Sequence, residues 1–168
     1  MVRRPTAALP MIEAPVTAGS ELLLDTCVYI DVLQGRTPAA VDNLLEVRIV
    51  NHSTVCLAEL THLFGRLDPK HAKTRDVLRE IRRMIEDIPD HRLSSPSDAA
   101  MGEAGMLAGL VARLSGSERR ERPVLLNDSG LYLQALERGW TVLTRNIRHF
   151  ACFDQLLPAG RVLFYEQA

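Results

Sequence analysis

The stretch Glu21-Leu22-Leu23-Leu24-Asp25-Thr26-Cys27-Val28-Tyr29-Ile30 constrains this chain more than any other. A short apolar run that ends on a carboxylate and passes into a second apolar run reads as a strand buried on both faces, followed by a helix. Strands of that kind belong to parallel sheets covered by helices. The run delivers Asp25 to its C-terminal tip, with Thr26 opening the helix. Ligands of open parallel α/β sheets bind at that edge, so a carboxylate there calls for chemistry beyond folding. The chain later places Glu59 and Asp128 in early turns of apolar helices, and Asn146 just after the strand-like run Thr141-Val142-Leu143-Thr144. Four oxygen-bearing side chains at element starts and ends imply one acidic pocket.

The rest of the chain alternates in the same way. Residues 28–33 read as a short helix ended near Gly35, and Thr37-Pro38 carries the cap and first-turn proline of a second helix reaching about Glu46. Residues 47–50 form the expected second strand, after which Ser53 or Thr54 caps a helix carrying Leu57, Ala58, Glu59, Leu60 and Leu63. Residues 71–88 space Val77, Leu78, Ile81, Met84, Ile85 and Ile88 for one helical face amid charge. Pro96-Ser97-Asp98 opens a helix rich in Ala and Gly, and an Arg- and Glu-rich loop is expected over 115–123. Asp128 then opens a helix stopping at Gly139, followed by the strand Thr141 to Thr144, a turn over 147–153 and a last strand, Val162-Leu163-Phe164. Apolar strands alternating with helices predict an α/β fold: a single domain over residues 21–168 with a central, mostly parallel sheet of about five strands flanked by helices. Residues 1–20, broken by Pro5, Pro10 and Pro15, have the composition of a flexible N-terminal arm.

Composition narrows the function. With 168 residues, 46% of them hydrophobic, one core suffices. A net charge of -1 and a pI of about 6.5 exclude a protein held on nucleic acid by bulk charge alone, so phosphate must be met by local cations or by metal. Three cysteines without a CxxC pair argue against a disulfide framework or a zinc ribbon and favour a reducing, cytoplasmic setting. No segment approaches the roughly 18 consecutive apolar residues of a membrane span.

Converging ionised carboxylates repel one another unless a proton or cation offsets the charge. Oxygen donors without a His/Cys cluster at ligand spacing favour hard cations, Mg²⁺ or Mn²⁺. Such an ion activates water and stabilises the leaving oxygen of a phosphodiester, which suits a nuclease.

The Leu22 to Ile30 stretch, the Ser53 to Leu60 segment with Glu59, the helix from Asp128, and Val142-Leu143-Thr144-Arg145-Asn146-Ile147-Arg148-His149-Phe150 together resemble a PIN domain, most closely the VapC-type toxins of bacterial toxin–antitoxin pairs. The resemblance covers about residues 21–164 and lies in the order of the four motifs. It implies an Mg²⁺- or Mn²⁺-dependent endoribonuclease, often a homodimer, that acts on RNA through metal-activated water and is held inactive by a small antitoxin. Asp25, Glu59 and Asp128 are then the metal-holding acids. Asn146 stands where many relatives have a fourth Asp and positions water, with Thr144 bonding to that shell. The bulk of Tyr132, where the family often has small residues, is expected to alter packing or a dimer contact.

Plainer readings stand beside these. Asp25 could serve as a helix N-cap, Glu59 as a solvated helix residue, Asp128 as a complement to a helix N-terminus, and Asn146 as a left-handed turn residue. Asp31 is expected to be solvated, Cys27 and Cys56 to be core thiols, and His149 to lie at the surface with a minor chance of RNA contact. Arg145 and Arg148, with Arg119, Arg120 and Arg122, are candidate RNA-phosphate contacts that position without reading sequence. A haloacid-dehalogenase phosphatase needs a second Asp two residues after the first, where Cys27 stands, and no Gly-rich phosphate loop follows the first strand. The remaining alternative is a catalytically weak or inactive PIN module that binds RNA or protein.

Overall fold

A computed structural model describes residues 4–12, 19–116 and 122–168. Five strands, β1 (Leu22–Leu24), β2 (Val50–Ser53), β3 (Leu93–Ser94), β4 (Thr141–Thr144) and β5 (Val162–Phe164), form one sheet in the order β3-β2-β1-β4-β5, and every pairing is parallel. Parallel neighbours need crossovers, and helices supply them. These are α1 (Thr26–Leu33), α2 (Ala39–Val47), α3 (Thr54–Arg66), α4 (Thr74–Glu86), α5 (Asp98–Ser115), α6 (Arg122–Arg138) and α7 (Ile147–Leu156). Among the described residues none of them is long and apolar enough to cross a membrane.

Leu22, Leu23 and Leu24 are all buried, as a central strand covered on both faces requires. The chain runs from β1 outward through β2 to β3, then returns to β4 on the other side of β1. The order therefore reverses between β1 and β4, and a crevice opens at the C-terminal ends of the two strands. Their register aligns Leu24 with Leu143, and Asp25 N donates to Leu143 O at 3.1 Å, so Asp25 and Thr144 end side by side.

The helix that carries Glu59 is capped by Ser53, whose Oγ accepts from Val55 N at 3.1 Å and donates to Gln134 Oε1 at 2.6 Å. Gln134 Nε2 in turn donates to Ser94 O at 3.0 Å. One buried amide of α6 thus ties the ends of β2 and β3 and sets α6 across the sheet. α5 packs on α6 through Ala100, Ala104 and Ala108, and at Gly130 an added Cβ would meet Met101 Sδ at 3.1 Å. Gly139, at φ +69°, stops α6 before β4.

Several boundaries differ from the sequence expectation. The second strand starts at Val50 rather than Val47, because Val47 closes α2 and is exposed, and pairing with Leu22 begins at Val50. β3 is two residues long, too short to show a period. Residues 147–153 lie in a ten-residue helix rather than a turn. α6 is already helical at Arg122, so Asp128 lies in its second turn and does not open it; Arg119 and Arg120 fall outside the described residues. Arg4–Ile12, part of the expected arm, lie against the β5 edge: Ile12 N donates to Phe164 O at 2.8 Å, Phe164 N donates to Pro10 O at 2.9 Å, and Leu9 is buried.

Tyr132 is an interior residue. Its ring lies 5.7 Å from that of Phe153 and its hydroxyl donates to Leu157 O at 2.5 Å. Gly160 makes room for it, since a Cβ there would overlap the Tyr132 ring. Gly160→Ala is therefore expected to destabilise the protein by about 1–3 kcal/mol, the range for overpacking a closed core. Denaturant unfolding measures this, and an unchanged midpoint contradicts the packing described.

Candidate active site

Asp25 occupies the N-cap position of α1, yet its side chain makes no capping bond. It turns instead toward β4, where Oδ2 accepts from Thr144 Oγ1 at 2.5 Å and from Cys27 Sγ at 3.1 Å. The N-cap reading thus does not account for this carboxylate. Thr144 Oγ1 also accepts from Asn146 N at 2.8 Å, which links the tip of β1 to the turn before α7. Burial, with the Asp25 charge adding, raises the Cys27 thiol well above its usual value, so Cys27 is a protonated donor and not an activated thiol.

Glu59, half-buried in α3, accepts from Thr26 Oγ1 at 2.6 Å on Oε2 and from Asn127 Nδ2 at 2.8 Å on Oε1. Asp128 is buried, and its Oδ2 takes two partners from the start of α7: Asn146 Nδ2 at 2.9 Å and His149 Nδ1 at 2.5 Å. Asn146 caps α7 by accepting from His149 N at 3.3 Å, with φ -77° and ψ 67°, so it is not a left-handed turn residue.

His149 is a correction to the sequence expectation: it is buried and bonded to Asp128, not at the surface. Reading 147–153 as a turn hid it. As a helix, the segment buries Phe150 and Phe153, and its first turn brings His149 beside the Asn146 cap. Asn127, which bridges α6 to Glu59, gave no signal of its own in the sequence.

Another expectation changes. Asp31 is fully buried rather than solvated, and it accepts from Arg145 Nε at 2.7 Å, Tyr165 OH at 2.9 Å and Gln167 Nε2 at 2.7 Å. Arg145 is therefore engaged with Asp31 through Nε, while its side chain stays partly exposed. Arg148 lies exposed in the first turn of α7. A groove of about 500 Å³ lined by Glu59, His62, Arg66 and Asn127 opens beside the acids. A separate, largely apolar groove of about 520 Å³ between α1 and α4, lined by Val28, Val32, Leu33, Met84 and Ile88, holds none of them.

Burial first, then the charge of Asp128 and, more weakly, that of Glu59, push the Asp25 carboxyl up to about 7 against the bonds from Thr144 and Cys27. Asp128 is also raised, chiefly by burial with Glu59 adding, while His149 and Asn146 pull it down. These mutual effects place the three acids in one field. Among the described residues no three His, Cys, Asp or Glu side chains stand ready as a metal-binding group, and both Glu59 oxygens already accept a bond. Asp25 Oδ1 and Asp128 Oδ1 accept no hydrogen bond among the described residues and are not among the enclosed orphan atoms. An oxygen-only set with two spare carboxylate oxygens and unrelieved negative charge fits a hard divalent cation.

The raised Asp25 pKa fixes a pH dependence. The folded state holds this proton more tightly than an unfolded chain, whose Asp titrates near 3.8, so its stabilising contribution is fully present below that value and is lost as pH rises through about 7. In chelator, Asp25→Asn is expected to flatten the fall in unfolding midpoint across this window and to exceed the wild type in stability above it. Identical pH profiles for the two proteins would remove Asp25 as the source.

No protein-family model matches the chain, and no curated protein matches it in sequence. Solved structures do match in shape. A chain of the FitAcB structure from Neisseria gonorrhoeae aligns at a TM-score of 0.59 and 22% identity, covering 85% of this chain and 96% of that one. A chain of VapBC2 from Rickettsia felis, bound to a DNA fragment from their promoter, gives 0.56 and 17%, covering 86% and 98%. A chain of VapBC-5 from Mycobacterium tuberculosis, a member of the VapBC family of toxin–antitoxin systems, gives 0.55 and 20%, covering 88% and 100%. The five-stranded parallel sheet with its flanking helices thus shares its fold with chains of these FitAcB and VapBC structures.

Proposed function

We propose that this protein is a metal-dependent endoribonuclease, the toxin of a type II toxin–antitoxin pair, inhibited by a small antitoxin and acting as a homodimer in the cytoplasm. The observation that carries the reading is the meeting of Asp25 and Asp128 at the sheet's switch point, both buried, both raised in pKa, and each with an oxygen to spare. When bound, Mg²⁺ or Mn²⁺ would supply an activated water and stabilise the leaving oxygen of a phosphodiester. Asp25 and Asp128 would hold the cation, with Glu59 of α3 as the third acid of the set. Thr144 and Cys27 fix the Asp25 carboxylate, and Asn146 fixes that of Asp128. Arg148 receives an RNA phosphate at the mouth of the site. Cleavage leaves 5′-phosphate and 3′-hydroxyl ends, as the resemblance implies.

The reading as an inactive PIN module draws on Asn146 at the fourth position and on the lack of three acids already poised for metal among the described residues. Calorimetry separates the two, because the enzyme reading requires Mn²⁺ binding that Asp25→Ala abolishes.

With labelled single-stranded RNA and Mg²⁺ or Mn²⁺, the wild-type protein is expected to cleave, chelator to stop it, and Asp25→Ala and Asp128→Ala to fall to background while remaining folded. Both variants are expected to lose growth arrest on expression. Undiminished cleavage in either variant defeats the assignment.

A further inference from the structure

We propose that His149 is a positioning residue for Asp128: its Nδ1–H, together with Asn146 Nδ2, occupies Oδ2 and so presents Oδ1 to the cation. This role rests on the metal-dependent reading above and deepens it.

Both donors come from the start of α7. Asn146 Nδ2 lies 2.9 Å and His149 Nδ1 2.5 Å from the same oxygen, and Asn146 Oδ1 accepts from His149 N at 3.3 Å. The cap of α7 and the orientation of the Asp128 carboxylate are therefore set by one local structure. A carboxylate with two donors on one oxygen cannot rotate without breaking both bonds, so its other oxygen has a fixed direction. An ionised carboxylate at this distance selects the tautomer with the proton on Nδ1.

Packing alone does not explain an imidazole at this place. His149 is 7% exposed, and its Nε2 is enclosed without a partner. A buried polar atom left unpaired costs stability, and an apolar side chain of similar size would fill the space without that cost. The imidazole therefore contributes through Nδ1, and Nδ1 has one acceptor, the Asp128 carboxylate. Hydrogen-bond partners of this kind orient metal-holding carboxylates, and their loss typically weakens metal affinity about 10–100-fold.

Three substitutions separate the two ring nitrogens. In His149→Asn the side-chain amide falls near Nδ1 and keeps the donor; in His149→Gln it falls near Nε2; His149→Leu keeps neither. Calorimetry of the full chain with Mn²⁺ alone is expected to show about 10–100-fold weaker binding for the Leu and Gln variants and recovery of most of the affinity in the Asn variant. The rise in thermal midpoint on Mn²⁺ addition should follow the same order, and the Mn²⁺ concentration giving half-maximal RNA cleavage should rise while KM for RNA holds. Wild-type-like Mn²⁺ binding by the Leu variant overturns the role, as does an Asn variant no better than Gln. Should the variants fail to fold, ¹⁵N spectra of wild-type ring nitrogens decide: Mg²⁺ is expected to move the His149 Nδ1 resonance, and an unmoved resonance rejects the role. Wild-type protein that binds no Mn²⁺ overturns the metal reading itself and the role with it, a result distinct from metal binding that ignores residue 149.

Discussion

The parallel pairing of β1 with β4 is the constraint on which the rest depends. The register that sets Leu24 beside Leu143 places Asp25 and Thr144 at adjacent strand tips, and the bond from Asp25 N to Leu143 O fixes their height. The strand order reverses there, and the ends of both strands face a crevice. The helices that border it are placed by the same sheet: α3 through the Ser53 cap at the end of β2, α6 through Gln134 bridging Ser53 and Ser94, α7 through Asn146 bonded to Thr144. Each acid is thus held by an element whose position the backbone ladder dictates.

Bringing carboxylates together at low exposure is costly, and the surroundings offset the cost incompletely. Thr144 and Cys27 donate to Asp25, Thr26 and Asn127 to Glu59, His149 and Asn146 to Asp128. Even so, burial and mutual charge keep Asp25 and Asp128 above the ordinary carboxylate range. Hydrogen bonds to a charged form lower a pKa, so a pair that stays raised despite them has desolvation and repulsion dominating. A protein that only folds gains nothing from such an arrangement; one that admits a cation uses the same repulsion as binding energy.

Much of this was legible in the sequence because strand tips and helix caps carry local signals. The apolar run before Asp25, the Ser53 cap and the glycine stop at Gly139 depend on neighbouring residues and were readable one element at a time. What escaped depends on tertiary context. β3, with two residues, exists only because Gln134 and the end of β2 lie beside it. Leu9 and Met11 sit among prolines that suggest an arm, yet an open edge at Phe164 gives them a place to pair. Tyr132 looked too large for its helix until Gly160 supplied the space. His149 was hidden by the misread turn, since only a helix from Ile147 gives position 149 a direction.

Asp31 shows why burial of a carboxylate is not by itself the mark of a site. It is more enclosed than Asp25, but Arg145 and Gln167 reach it at 2.7 Å and Tyr165 at 2.9 Å, with the Arg36 guanidinium 3.7 Å away. Both of its oxygens have partners, and two cationic groups balance its charge, so nothing is left with which to bind. Asp25 and Asp128, by contrast, each concentrate their donors on Oδ2 and leave Oδ1 without one among the described residues. The acids lie close in sequence and space: Asp31 is six residues after Asp25, and its partner Arg145 adjoins Asn146. One clasp therefore anchors α1 and the C-terminal residues to the turn that caps α7, while the neighbouring acids remain undersatisfied. The difference between the two sets is the number of donors supplied per oxygen.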